Sequence, residues 1–185
     1  MRTEDNLDTR TDLQLVAAIN AGDSAAFEIL YFRYRDWVAA LAYRFTADEH
    51  AAADVLQETF LYLLKKFPGF RLTANLKTFL YPAVRNLSIA ANRKARRYQA
   101  DGLASPLEQV AAPDRQPFAP GDLTAVLRDL PEEQREVLLL RFVDGLSLGE
   151  VAAAMTIPVG TVKSRMHNAL QCLRQDPRTK EFFSH

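Results

Sequence analysis

The chain has 185 residues, of which 48% are hydrophobic, and it carries 23 basic and 23 acidic side chains, so its formal net charge is zero. These values are typical of a globular protein with one or two small domains. They exclude a membrane-spanning protein, because no stretch of about 18 apolar residues occurs. The polar, acidic N-terminus argues against a signal peptide, and we therefore expect a cytoplasmic protein.

Cys172 is the only cysteine, so no internal disulfide can form. The three histidines are scattered along the chain, which argues against a zinc site built by the protein alone. The sequence also contains no glycine-rich phosphate loop and no recognisable nucleophile triad. We therefore expect no metal, no cofactor and no catalytic activity.

Four helices are predicted in the N-terminal half. Thr11 can cap a short first helix, and a spacing of three to four between apolar residues from Ser24 to Phe45 predicts a long amphipathic second helix. A third helix is predicted from about Asp48 to Phe67, where a Pro-Gly pair ends it. A fourth is predicted from about Asn75, a candidate N-cap, to Tyr98. Pro82 should kink that helix or mark a late start.

Charge is strongly segregated, because residues 71–99 contain seven basic side chains and no acidic one. The remainder of the chain therefore carries a net charge of −7. Basic side chains bind phosphates, and aromatic rings between them can stack on unpaired bases. The run from Arg93 to Arg97 favours a polyanionic partner, since unopposed like charges repel one another. For Phe79, a place in the hydrophobic core is at least as good an interpretation as a base contact.

Residues 99–121 contain four prolines and two glycines, too many to sustain a helix, and we interpret them as a flexible linker. Beyond the linker, Asp122 can cap a short helix to Leu130. Pro131 opens the next helix, which is predicted to run through Val143 and to carry two acids in its first turn. Ser147 and Glu150 form a capping box for a short helix to Met155.

A three-residue turn, Thr156–Pro158, separates that short helix from a last helix to about Gln175, which fits a helix-turn-helix. Val162, Met166 and Leu173 belong to an apolar stripe, and small or hydrogen-bonding side chains lie opposite. Such side chains are what reading a DNA major groove requires, but a solvated amphipathic helix in a bundle fits the spacing equally well. No segment alternates convincingly between apolar and polar residues. The fold class is therefore all-α, with two small helical domains joined by a flexible linker.

Taken together, these segments resemble a group 4 sigma-70 factor, the extracytoplasmic function (ECF) class of bacterial transcription initiation factors. The resemblance to region 2 rests on AFEILYFRYRDWVAALAYRF, DVLQETFLYLLKKFPGF and LKTFLYPAVRNLSIAANRKARR. The resemblance to region 4 rests on LPEEQREVLLLRFVDGLSLGEVAAAMTIPVGTVKSRMHNALQCLR. It covers about residues 12–98 and 122–175. It implies a four-helix region 2 domain at 1–98, a linker at 99–121 and a helix-turn-helix region 4 domain at 122–185.

The resemblance implies a role for each domain. Region 2 would bind the β′ clamp of core RNA polymerase through Asp54, Gln57, Glu58 and Leu61. It would also capture the unwound −10 element of promoter DNA through Phe70, Arg71, Asn75, Lys77, Phe79, Arg85, Asn86, Arg93, Lys94, Arg96 and Arg97. Region 4 would contact the β flap and read the −35 element through Thr161, Lys163, Ser164, Arg165 and His167. Such factors are commonly held by an anti-sigma factor, and they act on the nucleoid through RNA polymerase.

Two features depart from the family pattern. Relatives usually carry an acidic run just before the Gln-Glu-Thr-Phe stretch, whereas this chain has AAAD, in which only Asp54 is acidic. The hypothesis that follows is a weaker clamp contact, which Asp48 and Glu49 compensate or which needs a partner or phosphorylation at Thr59. The second departure is Pro82, where relatives usually have a basic or polar helix former. An autonomous helix-turn-helix transcription regulator is the alternative function, but it leaves the acidic and basic N-terminal helices without a role.

Overall fold

The computed structural model describes residues 8–100 and 123–179, and within them every regular element is a helix, which confirms the all-α class. The chain divides into two compact units, Met1–Leu103 and Ala104–His185. Within the described ranges, no helix combines the length and the apolar character needed to cross a bilayer.

The first unit contains four helices, and polar residues before each of them accept hydrogen bonds from its first turn. Their bounds are α1 Asp12–Asn20, α2 Ser24–Thr46, α3 Glu49–Leu64 and α4 Leu76–Ala100. Thr11 caps α1 in a capping box with Gln14. The carboxylates of Asp23 and Asp48 cap α2 and α3, and the Asn75 amide oxygen accepts the Lys77 N–H at 2.9 Å. The predicted caps at Thr11 and Asn75 are therefore confirmed.

Helix α2 packs against the other three helices of this unit, and its apolar stripe lies at the centre of the core. Each fully buried aliphatic side chain contributes roughly 1.5–3 kcal/mol relative to an exposed one. The largest fully buried side chains in this core are Leu15, Leu30, Val38, Leu41, Val55, Leu63, Leu76, Leu80, Tyr81 and Val84.

Two helix boundaries in this unit differ from the sequence predictions. Helix α3 ends at Leu64 rather than Phe67, because the Lys66 and Phe67 N–H groups donate to carbonyls three residues back and tighten the chain into a turn. Helix α4 starts at Leu76 and continues through Pro82. The prediction that Pro82 could mark a late start of this helix was therefore wrong. A proline removes a single helical N–H, and the buried neighbours Leu80, Tyr81 and Val84 hold the helix on both sides of it.

The second unit contains α5 Leu123–Asp129, α6 Glu132–Leu138, α7 Leu148–Met155 and α8 Val159–Gln175. The predicted capping residue Asp122 and most of the predicted linker, residues 101–121, lie outside the described residues. Residues 99 and 100 lie in the last turn of α4. The predicted capping box between Ser147 and Glu150 is present at the start of α7.

The helix predicted from Pro131 through Val143 changes type at its midpoint. Helix α6 ends at Leu138, and residues Leu139–Val143 form a π-helical turn. The Asp144 N–H donates to the Leu139 carbonyl, five residues back, at 3.0 Å. Beyond this wider turn, Gly145 adopts a φ of 75°, and Leu146 returns to the core fully buried.

Helices α7 and α8 meet at a tight turn, in which Thr156 adopts the left-handed conformation with a φ of 57°. The chain re-enters helix after Pro158, as the turn prediction required. The core beneath α8 is formed by Val126, Leu130, Leu138, Ala169 and Leu173, with Leu127, Met166 and Leu170 packed at its edge. Met166 and Leu170 are therefore core residues, which leaves the other side of α8 to face solvent.

Candidate nucleic-acid and protein interfaces

The N-terminal half of α8 presents a polar outer face. Lys163, Ser164 and His167 are exposed, while Val162 on the opposite side is fully buried. The Ser164 hydroxyl donates to the Thr161 carbonyl at 3.0 Å, and Thr161 is half-buried. A lysine, a hydroxyl and an imidazole side by side on an exposed helix start can bind phosphate and base edges in a major groove.

Arg165 has a different environment from its neighbours on α8. Its side chain is 22% exposed, and its guanidinium lies 2.5 Å from the carboxylate of Glu133 in the first turn of α6. The resemblance to region 4 implies that Arg165 contacts the −35 element. In the structure the guanidinium joins α8 to α6, so a phosphate would have to compete with Glu133 for it.

The C-terminal part of α4 is an exposed basic surface. Asn86 and Tyr98 are exposed, Tyr98 by 52%, and Arg85 is half-buried. The four cations nearest the end of the helix are all exposed: Arg93, Lys94, Arg96 and Arg97. These side chains can follow a phosphate backbone, and Tyr98 adds a ring on which a base can stack.

An aromatic cluster connects the loop between α3 and α4 to the start of α4. The rings of Phe70 and Phe79 lie 4.7 Å apart, and Phe79 stacks on Tyr62 of α3 at 5.8 Å with planes 14° apart. The Lys66 ammonium lies 4.5 Å from the centre of the Tyr62 ring. The structure thus brings the predicted residues Phe70 and Phe79 together and adds Tyr62, which the sequence pattern did not single out.

The remaining predicted residues of this region surround the loop. Arg71 and Asn75 are exposed, and the Lys77 ammonium lies 5.5 Å from the centre of the Trp37 ring on α2. The loop is fixed from the other side by Asn20, the last residue of α1. Its side-chain amide donates to the Phe70 carbonyl at 2.8 Å and accepts the Gly69 N–H at 2.7 Å. A polar residue at a helix end is so common that no sequence signal indicated this role.

Helix α1, which carries Asn20, is itself tied to α2. Arg33 on α2 forms an ion pair with Asp12 at 2.7 Å, and the Tyr34 hydroxyl donates to the other carboxylate oxygen of Asp12. Burial raises the pKa of Tyr34, and the hydrogen bond to Asp12 raises it further. Tyr34 therefore stays protonated and remains a donor, which keeps α1 in place beneath the loop.

Helix α3 exposes a mixed acidic and apolar surface. Asp54, Gln57, Glu58 and Leu61 are all exposed, Leu61 by 54%. Their spacing of three and four places them on one side of the helix, while Val55, Phe60 and Leu63 are buried on the other. This surface suits a partner protein that offers cations and an apolar contact.

The structure also tests how the chain accommodates the missing acidic run. The carboxylate of Asp48 accepts the Ala51 N–H at 2.6 Å, so it serves as the cap of α3. Thr59 is fully buried, and its hydroxyl donates to the Val55 carbonyl at 2.7 Å. Phosphorylation at Thr59 in the folded protein is therefore contradicted, because a kinase has no access to this hydroxyl.

A four-helix unit with an exposed basic helix, together with a helix-turn-helix unit, is an architecture typical of two-domain helical DNA-binding proteins. The family model described as Sigma-70 region 2 matches residues 30–98, and the model described as Sigma-70, region 4 matches residues 126–175. The chain belongs to the sigma-70 family, and it is an RNA polymerase sigma factor that serves transcription initiation.

Its relatives assign the chain to the ECF group of that family. It is 33% identical to the RNA polymerase sigma-H factor of Pseudomonas aeruginosa, over 88% of this chain and 91% of the relative. It is 30% identical to the ECF RNA polymerase sigma factor SigW of Bacillus subtilis, over 88% and 95%. The sigma factor RpoE from Bartonella quintana, solved in complex with the anti-sigma factor NepR, aligns with a TM-score of 0.59 and 26% identity, over 80% of this chain and 94% of that one.

Proposed function

We propose that this sigma factor directs core RNA polymerase to its promoters by reading the two promoter elements with separate domains. The domain boundaries are residues 1–98 for region 2, a linker at 99–121, and 122–185 for region 4. The observation that carries this proposal is the presence, in one chain, of an aromatic loop beside a basic helix and of a helix-turn-helix with an exposed polar face. The factor works in the cytoplasm, on the nucleoid, and performs no catalysis of its own.

Region 2 captures the −10 element at the loop before α4. Phe70, Arg71, Asn75, Lys77 and Phe79 receive the unwound non-template strand. Helix α4 then holds the backbone and the adjoining duplex, through the exposed cations Arg93, Lys94, Arg96 and Arg97, the half-buried Arg85 and the exposed amide of Asn86. Support comes from the aromatic cluster under the loop and from the absence of any acidic side chain in residues 71–99.

Region 4 places α8 in the major groove of the −35 element. Ser164 and His167 discriminate between bases, Lys163 binds phosphate, and Thr161 lies at the edge of the contact. Arg165 reaches the DNA backbone only when it leaves Glu133. The exposed side chains of α8 support this assignment, and the small number of cations is sufficient because polymerase holds the factor on the promoter.

Two protein partners follow from the same reasoning. The surface of Asp54, Gln57, Glu58 and Leu61 on α3 binds the β′ clamp of core polymerase, and region 4 contacts the β flap. We also propose that an anti-sigma factor regulates the chain, which is supported by the complex of the similar RpoE with NepR.

Run-off transcription from genomic fragments with reconstituted polymerase tests the function and identifies the promoters. Specific transcripts are expected only when both core enzyme and this chain are present. Ser164→Ala and His167→Ala should change which −35 sequences are used, whereas Lys163→Ala should weaken all promoters to a similar degree. Sequence-specific duplex binding by the isolated chain, without a specific transcript from the holoenzyme, would instead favour the autonomous regulator.

A further inference from the structure

We propose that Asn20 is a positioning residue for base recognition in the −10 element, although it lies at the end of α1, outside the surface assigned to DNA. The inference rests on the proposed role of the loop before α4 in −10 capture. Asn20 acts by holding the Gly69–Phe70 segment in one conformation. It thereby determines the positions of Phe70 and Arg71 when the non-template strand binds.

The geometry of the Asn20 amide is that of a two-point clamp. Its Nδ2 donates to the Phe70 carbonyl at 2.8 Å, and its Oδ1 accepts the Gly69 N–H at 2.7 Å. Both distances are those of good hydrogen bonds. A primary amide offers a strong donor and a strong acceptor on one carbon. The two bonds therefore hold the peptide groups on either side of the Gly69–Phe70 segment, since the N–H comes from the Pro68–Gly69 peptide and the carbonyl from the Phe70–Arg71 peptide.

The clamp acts on a segment that has few other restraints. Gly69 is exposed and adopts a φ of 102°. Because glycine has no side chain, its backbone can readily leave this conformation for others. The Phe70 ring packs against Phe67 at 5.4 Å and Phe79 at 4.7 Å. These contacts hold the side chain, but ring packing does not by itself fix the backbone torsions of Gly69 and Phe70. The hydrogen bonds to Asn20 remove that freedom.

The position of Asn20 is itself well determined. Helix α1 is fixed by the buried side chains Leu15 and Ile19 and by the ion pair between Asp12 and Arg33. A substitution at Asn20 therefore removes the clamp and leaves the helix that carries it in place. Base recognition requires the recognition groups to be held close to their bound geometry, so loss of the clamp lowers selectivity.

The test compares Asn20→Ala and Asn20→Asp in reconstituted holoenzyme on a promoter mapped by run-off transcription. The measured quantity is the ratio of open-complex formation between that promoter and single-base variants of its −10 element, followed by 2-aminopurine fluorescence in the non-template strand. This ratio is independent of the fraction of folded protein, since both promoters meet the same sample. Asn20→Asp keeps the acceptor and should lower the ratio about fivefold, and Asn20→Ala should lower it by up to about thirtyfold.

Asn92→Ala is the matched control. The Asn92 side chain also donates to a distant carbonyl at 2.9 Å, but this carbonyl is that of Phe45 in α2 and not one in the loop before α4. Its −10 ratio should stay within about twofold of the wild type, as expected from the loss of one ordinary hydrogen bond elsewhere. Hydrogen exchange of the Gly69 amide reports the clamp directly and should accelerate in Asn20→Ala but not in Asn92→Ala.

The outcomes separate the inference from the function on which it rests. If Arg71→Ala and Asn75→Ala lower the −10 ratio and Asn20→Ala does not, the positioning role is wrong and −10 capture by the loop stands. If none of the three changes the ratio, the loop does not read the −10 element and both proposals fall. An equal loss of −10 and −35 discrimination in Asn20→Ala also overturns the positioning role, because a local clamp cannot affect region 4.

Discussion

The ion pair between Arg165 and Glu133 makes a specific prediction about −35 binding. Glu133→Gln removes the carboxylate charge and retains the shape of the side chain, so the Arg165 guanidinium loses its partner and becomes available to a DNA phosphate. Promoter binding by the holoenzyme should therefore become tighter and more dependent on salt. The free energy of unfolding of the second unit should fall slightly at the same time.

The size of the expected gain in affinity follows from how exposed the Arg165–Glu133 ion pair is. The Arg165 side chain is 22% exposed and that of Glu133 is 67% exposed, so solvent screens the attraction and the pair contributes roughly 0.2–1 kcal/mol. Affinity for the −35 element should consequently rise by no more than about fivefold. If Arg165 then neutralises one phosphate, the slope of log K against log salt should steepen by about 0.9.

The assay is holoenzyme binding to a mapped promoter fragment across a salt series, with Glu132→Gln as the matched control. Glu132 is exposed in the same helical turn, and its replacement changes the net charge equally. The gain in promoter affinity from Glu133→Gln should exceed the gain from Glu132→Gln. This difference should vanish in an Arg165→Gln background. Equal gains from both variants, or a gain that persists without Arg165, would refute the competition between Glu133 and phosphate.

Three further predictions concern other parts of the chain. Ala53 is exposed beside Asp54, so Ala53→Glu should raise affinity for core polymerase by up to about fivefold. Fluorescence anisotropy measures this affinity. An equal rise in Ala25→Glu, at an exposed position on α2, would contradict the clamp assignment. Thr59→Glu should lower the free energy of unfolding by roughly 3–5 kcal/mol, because it places an unpaired charge in the core. Thr59→Val should lower it by about 1 kcal/mol. Thermal melting measures both losses, and a Thr59→Glu variant as stable as the wild type would instead support activation by phosphorylation at Thr59. The hydrogen bonds from the Arg178 side chain and backbone lower the pKa of Asp176, so this carboxylate stabilises the folded state at neutral pH and loses that effect as the pH falls through its lowered pKa; melting of Asp176→Asn should depend less on acid pH than melting of the wild type.

The features that the sequence predicted correctly depend on neighbours a few positions apart. The cap at Thr11 and the capping box at Ser147 each close within three residues, and the stripe of Val162, Ala169 and Leu173 follows from the helical period. Helix ends were less predictable where tertiary packing competes with local signals. Pro82 is the clearest example, since the buried side chains around it maintain a helix that a proline alone disfavours.

Sequence alone determined the all-α class, the turn between α7 and α8, and the order of motifs that matches the sigma-70 family. These properties arise from helical periodicity and from hydrogen bonds between residues three or four apart. Only the tertiary structure decided that Asn20 holds a loop 49 and 50 residues away, and that Arg165 pairs with Glu133. Such contacts depend on how helices pack, and a side chain that makes one has no distinguishing pattern in its own neighbourhood.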